Sequence, residues 1–594
     1  MDCPDLDELL AISRARFGIE SFHPLQRLAI ANVLEAVGGT GSTSLEPAPS
    51  NQVVIMPTGA GKSLCFQAPA LVLEGPTLVI YPILALMEDQ RRRLEAAGLE
   101  AAIFRGGQSR EERDAALEAL RSGRSKIAIA NSEVLASKRL RADLARFEIA
   151  HLAIDEAHCV SEWGETFRPA YLELRGLAEE LSPRATSAFT ATASPPVLES
   201  MTRRLFGDAP WRLVSGNPDR PNIHWSVIPT LSRTRSISTL LATMARPLVI
   251  FAGSRAGVEK IALMIRSRRR DLDLRFYHAG LEADERRAVE SWFLVSKTGV
   301  LVATSAYGLG VDKKDIRTIV HWELPRTVEA YLQEAGRAGR DGQPAKAVLL
   351  LGHDETMRRV RGESGERNGR REAFLAWAKA GGCRRKGLLA LLGSAMEDDC
   401  AGCDRCDGSA VEEEEGKRQI IEFVRKHSRR WDRRAVVDLL GSGAKRGGGS
   451  HKSLSFPVPL ADSLAGWNKD EIAIAVGALI ELGTIAERTA APWKGKLELC
   501  DPAGTTVSGL ASLLPSRSWR GFFGRLVAAH PPLRDNPDKS EESPDDENGD
   551  HANYDAPIGQ DFHRKIDIGI QIHVRPFRRE RAPRPRRRIP VRGR

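Results

Sequence analysis

Short apolar segments alternate with amphipathic ones in two successive series along this chain of 594 residues. The first series runs from Gln52 to about Ser215 and contains VVIM, TLVIY, KIAIA, HLAID and TSAFTAT. The second begins with PLVIF at 247–251 and continues through LRFYH, GVLVAT, RTIVHW and AVLLL to about residue 353. Apolar strands that alternate with covering helices form parallel sheets. The pattern therefore predicts an α/β fold with two lobes in tandem.

A Gly-rich loop, MPTGAGKS at 56–63, lies between the VVIM segment and an apolar helix. In this strand–loop–helix context, backbone N–H groups can hold phosphate groups. Lys62 would reach the phosphate oxygens and Ser63 would bind Mg²⁺. Met56 replaces the first glycine of the strict GxxxxGK[ST] pattern, a shorter form typical of helicase-like ATPases, and a chance Gly-rich turn is the alternative. The remaining candidate nucleotide-binding residues of the loop are Thr58, Gly59 and Gly61.

The tetrapeptide DEAH, residues 155–158, ends the apolar segment HLAI. Two adjacent carboxylates at the carboxyl end of a strand can divide the work of phosphate hydrolysis. Asp155 would hold Mg²⁺, and Glu156 would orient and deprotonate the attacking water. The alternative is a solvated acidic loop, but the position after Lys62 and at a strand end favours the catalytic interpretation.

A third motif, QEAGRAGRDG at 333–342, carries two arginines. On a helix, Gln333, Arg337 and Arg340 would share one face. Two arginines on one face can stabilise the charge on a phosphoryl group during transfer. The two glycines of the motif would let that helix approach a neighbour closely, whereas an exposed basic helix, the alternative, would gain nothing from them.

Four cysteines follow the second series with the spacing C-x16-C-x2-C-x2-C. Four thiolates at this spacing can close a tetrahedral structural zinc site with no open position for catalysis. Free thiols are the alternative. The predicted zinc ligands are Cys383, Cys400, Cys403 and Cys406.

The net charge of +9 comes from the end of the chain. Residues 575–594 contain ten arginines and one glutamate, which leaves 77 basic and 77 acidic side chains in the rest. Nucleic-acid binding by the body of the chain would therefore depend on local patches. The acidic N-terminus is not a signal peptide, no apolar stretch is long enough to span a membrane, and eight cysteines fit a reducing compartment, so we expect a cytoplasmic location, nucleoid-associated in a bacterium.

The later part of the chain changes character twice. Helical segments followed by a hairpin at Thr484–Leu499 predict a winged helix, with Trp493 near the hairpin tip either as a stacking wedge or packed against the domain. The tail is acidic at 535–555 and then Arg-rich, which predicts disorder. The predicted domains are a first RecA-like lobe that binds ATP (1–215), a second RecA-like lobe (216–353), a helical zinc module (354–410), a winged helix (411–500) and a low-order tail (501–594).

Together these motifs resemble the RecQ family of superfamily 2 DNA helicases, clearly over residues 14–410 and more loosely to about residue 500. The resemblance assigns adenine recognition to Gln26 and structural zinc to the four cysteines. The further segments that carry it are FGIESFHPLQ (17–26), LVIYPILALMEDQ (78–90), FTATA (189–193), LVIFAGSRAGVEKIA (248–262), YHAGL (277–281) and VLVATSAYGLGVDKKDIRTIVHWELP (300–325).

The segment DEAHCVSEWGETFRPAY, 155–171, is similar to the aromatic-rich loop by which the family couples single-stranded DNA to ATP hydrolysis. Aromatic rings can stack on bases, and arginine can pair with phosphate. A buried Trp/Phe pair is the alternative. The predicted DNA-coupling residues are His158, Trp163, Phe167 and Arg168.

Several positions depart from the family pattern. Glu162 and Glu165 stand where Gln and His are usual, which places negative charge beside a DNA contact. The other departures are His23, Tyr81, the segment NSEVL (131–135) and Gly253. The ATPase motifs are thus intact, whereas the residues along the DNA path are altered.

The resemblance implies an ATP-dependent DNA helicase of 3′→5′ polarity in DNA repair, recombination or related processing. ATP, Mg²⁺ and Zn²⁺ are the implied cofactors. The implied partners are single-stranded and tailed or forked duplex DNA, together with a single-strand-binding protein or another DNA-processing protein. The alternatives are a translocase that does not separate strands, a DNA-binding regulator with a degenerate motor and, less favoured, an RNA helicase.

Overall fold

A computed structural model of the chain describes residues 6–38, 49–57, 59–162, 169–307, 313–357, 366–396, 398–441 and 458–500. It forms two compact units, which divide after Lys417. The predicted disordered tail, 501–594, lies outside the described residues. Within the described residues, no helix is both long and apolar enough to cross a bilayer.

The first lobe is built on a seven-stranded parallel sheet with the order β3-β4-β2-β5-β6-β1-β7. Strand β1 is buried along nearly all its length because both faces of the sheet are covered. Val53 packs in the core on one face and Val54 in the core on the other. The strands are β1 (Asn51–Ile55), β2 (Thr77–Tyr81), β3 (Glu100–Phe104), β4 (Ser125–Asn131), β5 (His151–Ile154), β6 (Ala185–Thr190) and β7 (Trp211–Ser215).

Nine helices belong to this part of the described chain. Helix α5, for example, begins with a capping box in which Ser109 and Glu112 each accept a backbone N–H of the other. The helices are α1 (Leu6–Phe17), α2 (Pro24–Gly38), α3 (Leu64–Ala70), α4 (Leu84–Ala96), α5 (Arg110–Arg121), α6 (Lys138–Leu144), α7 (Cys159–Glu162), α8 (Leu174–Leu181) and α9 (Pro195–Phe206).

The second lobe has a six-stranded parallel sheet with the order β10-β11-β9-β12-β13-β8. Its strands are β8 (Ile223–Thr230), β9 (Leu248–Phe251), β10 (Leu274–Tyr277), β11 (Val300–Ala303), β12 (Thr318–His321) and β13 (Ala345–Gly352). Its helices are α10 (Arg233–Thr243), α11 (Arg255–Arg268), α12 (Ala283–Val295) and α13 (Val328–Ala335).

The two predicted parallel-sheet lobes are confirmed, and each apolar segment named above forms a strand. The pattern missed β3, β7 and β8. Strands β3 and β7 lie at the two edges of their sheet and are partly exposed; the apolar run of β3, residues 101–104, is half alanine, and Arg212 interrupts β7. Strand β8 is an edge strand of its sheet, and its burial alternates along most of its length.

The cysteine-bearing segment shares the core of the second lobe. Its helices are α14 (Asp354–Met357), α15 (Glu366–Lys379) and α16 (Arg384–Leu391). Phe374 and Trp377 of α15 pack against Tyr331 of α13. The buried Arg384 pairs with the buried Asp404 at 3.0 Å, and Asp404 also accepts the N–H of Val227 in β8. The segment is therefore bound to the second lobe through apolar packing and through the hydrogen bond from Val227 to Asp404, whose carboxylate the ion pair with Arg384 holds in place.

The second unit contains helices α17 (Lys417–Lys426), α18 (Arg433–Gly441) and α19 (Lys469–Glu481), followed by strands β14 (Ile485–Glu487) and β15 (Leu497–Leu499). The two strands pair antiparallel, with Ile485 opposite Leu499. Three helices followed by a hairpin have the element order of a winged helix, and the winged-helix domain stays a prediction.

Candidate nucleotide site and metal centre

The Gly-rich loop follows β1 directly and leads into α3. Gly59 and Gly61 have φ values of 88° and 76°, in the left-handed region that side chains with a Cβ rarely adopt. A Cβ on Gly61 would also collide with Gln26 Nε2. Lys62 Nζ donates to the carbonyl of Met56 at 3.4 Å, which folds its side chain back over the loop. Thr58 lies outside the described residues.

Gln26 is bonded to this loop from α2. Its Oε1 accepts the N–H of His23 at 2.8 Å, and its Nε2 donates to the carbonyl of Ala60 at 3.0 Å. The amide is 93% buried, so its orientation is fixed by these bonds. The residue predicted to read the base is thus hydrogen-bonded to the loop predicted to hold the phosphates.

We expect Gln26→Ala to raise KM for ATP by about tenfold and to reduce the preference for ATP over GTP, because losing one or two hydrogen bonds costs about 1–3 kcal/mol. The control is Asn32→Ala on the same helix, whose side chain bonds Gln52 and Arg212 instead. Steady-state hydrolysis of both nucleotides measures the effect. An unchanged ATP/GTP ratio would contradict adenine recognition by Gln26.

The DEAH carboxylates lie at the carboxyl end of β5. Glu156 adopts a left-handed φ of 47°, and its N–H donates to Asp155 Oδ1 at 2.9 Å. Burial and the neighbouring Glu156 charge raise the pKa of Asp155 to about 7, and the Lys62 charge opposes this shift. The buried Asp155 and the partly exposed Glu156 beside one ammonium leave negative charge uncompensated, and a divalent cation would neutralise it. The donor set therefore fits Mg²⁺ at Asp155, with the Ser63 hydroxyl as the second predicted ligand.

The interpretation of QEAGRAGRDG as one helix is wrong in part. Helix α13 contains Gln333 but ends at Ala335, and Arg337 and Arg340 lie in the turns that follow. Gly339 takes a left-handed φ of 55°, which a continuous helix does not allow. Gly336 is the C-cap of the helix and Gly339 lies beyond it, so neither glycine is in the helix interior.

Two residues that the sequence analysis missed hold these turns in place. Arg220 donates to the carbonyls of Gly336, Ala338 and Gly339 at 2.8–3.1 Å. Asn222 donates to the carbonyl of Gly339 at 2.8 Å. The sequence feature that could have pointed to these two residues is the segment DRPN at 219–222. It places one proline among three polar side chains just before β8.

Arg337 is the buried arginine of the pair. Burial and the nearby Arg340 charge lower its pKa to about 10, whereas the charges of Glu334, Tyr307 and Glu156 act in the opposite direction. Glu156 belongs to the first lobe, so charges from both lobes influence the pKa of Arg337. A guanidinium in this position can stabilise negative charge that develops between the lobes.

A hydrogen-bond chain joins the lobes directly. Gln333 Nε2 lies 3.3 Å from His158 Nε2, and His158 Nδ1 lies 3.1 Å from Thr190 Oγ1. Thr190 in turn donates its hydroxyl to the carbonyl of Thr192. Because the Thr190 hydroxyl gives its proton to Thr192, it must accept a proton from His158 Nδ1. His158 is therefore the Nδ1-protonated tautomer, and its Nε2 accepts from Gln333. The chain connects the QEAGRAGRDG motif with DEAH and with the FTATA segment.

A second contact between the lobes involves Glu329, which the sequence analysis also missed. Its carboxylate, only 1% exposed, accepts both the N–H of Ser194, at 3.2 Å, and the Ser194 hydroxyl. Ser194 is the N-cap of α9, so Glu329 of α13 places negative charge at the positive end of that helix. Helix α13 thus carries both this contact and Gln333.

We expect Glu329→Gln to reduce kcat for DNA-stimulated ATP hydrolysis by about 5–10-fold with little change in KM, because weakening a buried charged hydrogen bond costs about 1–2 kcal/mol. Glu199→Gln, an exposed residue on α9 paired with Arg203, is the control. Steady-state kinetics with saturating single-stranded DNA measures kcat. Equal losses in both variants would contradict a specific role for the Ser194–Glu329 contact.

The predicted DNA-coupling residues are only partly described. His158 is buried and takes part in the hydrogen-bond chain between the lobes. Trp163, Phe167 and Arg168 lie outside the described residues, so their roles remain predictions.

The four cysteines come together as a candidate metal centre. The Sγ atoms of Cys383, Cys400, Cys403 and Cys406 all lie within 4.8 Å of one another. Burial raises the pKa of the Cys403 thiol, but backbone N–H groups and the Cys406 side chain outweigh this and bring it to about 7, whereas the pKa values of Cys400 and Cys406 are raised. Four sulfur donors at such separations fit one tetrahedral zinc ion.

The comparisons with known proteins agree with this geometry. Residues 23–201 match the DEAD/DEAH box helicase family, and residues 233–342 match the helicase conserved C-terminal domain. The ATP-dependent DNA helicase RecQ of Pasteurella multocida (strain Pm70) is 35% identical over 406 residues, which are 67% of this chain and 62% of the relative. The chain belongs to the RecQ family. RecQ of Bacillus subtilis (strain 168) is 34% identical over 400 residues, 66% of this chain and 65% of the relative.

This RecQ-family chain therefore matches less than two thirds of the length of each of these relatives. Identity of 34–35% is that of a divergent member.

Proposed function

We propose that this protein is an ATP-driven DNA helicase that moves 3′→5′ along a single strand and separates duplex DNA. The observation that carries the proposal is that the two lobes bring charged side chains of both signs to one site. Lys62, the buried Asp155 and the partly exposed Glu156 come from the first lobe, and the Glu156 charge influences the pKa of Arg337 in the second lobe. Hydrolysis at such a site would respond to the separation of the lobes.

The roles follow from chemistry. Lys62 would hold the terminal phosphates, and Gln26 would recognise the base. Glu156 would orient the attacking water, and Arg340 would stabilise the transferring phosphoryl group, with Arg337 beside it. Bound at Ser63 and Asp155, Mg²⁺ would supply neutralising charge for the phosphate oxygens.

The contacts between the lobes supply a route from hydrolysis to movement. Gln333, His158 and Thr190 form one hydrogen-bond chain, and Ser194 and Glu329 form a second contact. Opening and closing the lobes would break and remake these contacts once per ATP. The segment 163–168, which follows α7, would report the presence of single-stranded DNA to the same carboxylates.

The proposed partners are single-stranded DNA and tailed or forked duplexes, with zinc in a structural role at the cysteine centre. A cytoplasmic location, nucleoid-associated in a bacterium, and a role in DNA repair or recombination complete the proposal.

The test is ATP-dependent unwinding of matched 3′-tailed and 5′-tailed duplexes by the purified protein. We expect only the 3′-tailed duplex to open. ATP hydrolysis on DNA without opening of either substrate would replace the proposal with a translocase, and absence of DNA-stimulated hydrolysis would leave a DNA-binding regulator.

A further inference from the structure

Arg385 is a buried arginine of α16 to which the site described above gives no role. Its side chain is 1% exposed, and its guanidinium contacts the segment DRPN that precedes β8. It donates to Asp219 Oδ1 at 2.6 Å and to the carbonyl of Ile223 at 2.8 Å. These bonds fix the start of DRPN against the cysteine-bearing segment.

Asp219 connects this contact to Arg220. The same carboxylate oxygen, Oδ1, accepts the backbone N–H of Arg220 at 2.8 Å. The Arg220 guanidinium donates to three carbonyls within residues 336–340, which we call the arginine turns because they contain Arg337 and Arg340. Burial and the nearby Arg340 charge lower the pKa of Arg220, whereas the Asp219 charge opposes this shift. A continuous chain of contacts therefore runs from α16 to the arginine turns.

The bonds from Arg220 act on the peptide groups of both arginines. Its Nη1 donates to the carbonyl of Gly336, which belongs to the peptide group before Arg337. Its Nη2 donates to the carbonyl of Gly339, which belongs to the peptide group before Arg340. A planar guanidinium makes such bonds in a fixed geometry. The position of Arg220 therefore sets the backbone positions of the two arginines.

Stability alone does not explain the pair of Arg385 and Asp219. The apolar packing of α15 and the bond from Val227 to Asp404 already attach the cysteine-bearing segment to the second lobe. Replacing a buried ion pair by apolar side chains often leaves stability unchanged or raises it. A charged hydrogen bond does fix the direction of its partners, however, and apolar packing does not.

We propose that Asp219 and Arg385 are positioning residues for phosphoryl transfer, which act through Arg220 to hold Arg337 and Arg340 in place at the nucleotide. The inference deepens the proposed function and rests on it. The two arginines would stabilise charge that develops in the transition state. Loss of their support should therefore slow hydrolysis and leave the binding of ATP unchanged.

The test is Asp219→Asn in the full-length protein, which removes the charge and keeps the size of the side chain. We expect kcat for DNA-stimulated ATP hydrolysis to fall by about 10–100-fold, because a small misplacement of a reacting group has effects of this order. We expect KM for ATP to stay within about twofold, since uniform binding is not affected. Binding of ADP with aluminium fluoride should weaken, whereas binding of ADP alone should not.

Arg371→Ala is the matched control. Arg371 is a largely buried arginine of the same segment that pairs with Glu355 at 3.0 Å, and its loss should leave kcat unchanged. Thermal unfolding records whether each variant folds. Because Asp219→Asn leaves the Arg385 charge buried without its partner, Asp219→Asn/Arg385→Met takes its place if the single variant does not fold.

A double-mutant cycle tests the route through Arg220. In an Arg220→Ala background, Asp219→Asn should lower kcat by less than about twofold, because the link to the arginine turns is already broken. A full additional loss in that background would overturn the inference, as would a raised KM with unchanged kcat or an equal loss of kcat in Arg371→Ala. Full kcat in a folded Asp219→Asn variant would refute the inference and leave the proposed motor intact. Absence of DNA-stimulated hydrolysis in the unmodified protein would refute both.

Discussion

Replacing Lys62 by alanine is expected to lower DNA-stimulated ATP hydrolysis by about 10²–10³-fold, as when one preorganised charge is removed from a transition state. The ammonium lies at the end of the Gly-rich loop, and its charge acts on the buried Asp155. Its side chain makes a long hydrogen bond, 3.4 Å, to Met56, so we expect the fold to persist. Phosphate release under saturating DNA measures the rate.

Lys126→Ala is the matched control for this substitution. Lys126 belongs to β4 of the same lobe, near its amino end, and donates to the carbonyls of Leu71 and Leu73. Because the carboxyl ends of parallel strands form the opposite edge of the sheet, this lysine is remote from the nucleotide site. Hydrolysis by Lys62→Ala at the rate of Lys126→Ala would refute the assignment of the loop.

The second large effect is expected at the metal centre. Cys403→Ser should reduce bound zinc from one equivalent to near zero and lower the thermal midpoint of the first unit, because structural zinc contributes about 10 kcal/mol or more to folding. Cys403 is fully buried and forms a backbone bridge with Trp225 of β8. The loss of stability should therefore extend to the second lobe and reduce ATP hydrolysis as well.

Metal content by elemental analysis and unfolding by calorimetry measure these effects. Cys500→Ser is the control, since Cys500 lies in the second unit outside the cluster. A chelator should reproduce the Cys403→Ser result in the unmodified protein. Full zinc occupancy and an unchanged midpoint in Cys403→Ser would contradict a four-cysteine structural site.

The local patterns of the chain predicted most of the architecture. The VVIM and HLAI segments became buried parallel strands because a continuous apolar run is stable only where both sheet faces are covered. Loop and carboxylate motifs were placed correctly because each follows directly from a strand end. The edge strands β3 and β7 were missed because partial exposure weakens the apolar run that marks a strand: β3 relies on two alanines, and Arg212 interrupts β7.

The candidate site needed more than local pattern. The order of motifs located Lys62 and Asp155, since the strands that carry them belong to one parallel sheet. Periodicity alone placed Gln333, Arg337 and Arg340 on one helix. In the structure that helix ends at Ala335, with Gly336 as its C-cap. The supporting residue Arg220 acts across more than a hundred positions of sequence, through carbonyl groups that only the folded chain brings together.

The sequence by itself determined the fold class and located the Gly-rich loop, the DEAH carboxylates and the four cysteines, because these depend on neighbours along the chain. Tertiary structure alone decided the contacts between the lobes, from Glu329 to Ser194 and from Gln333 to His158, and the contact of Arg429 with Trp493. Such contacts join residues far apart in the chain, and their free energy depends on burial and orientation that no local pattern encodes.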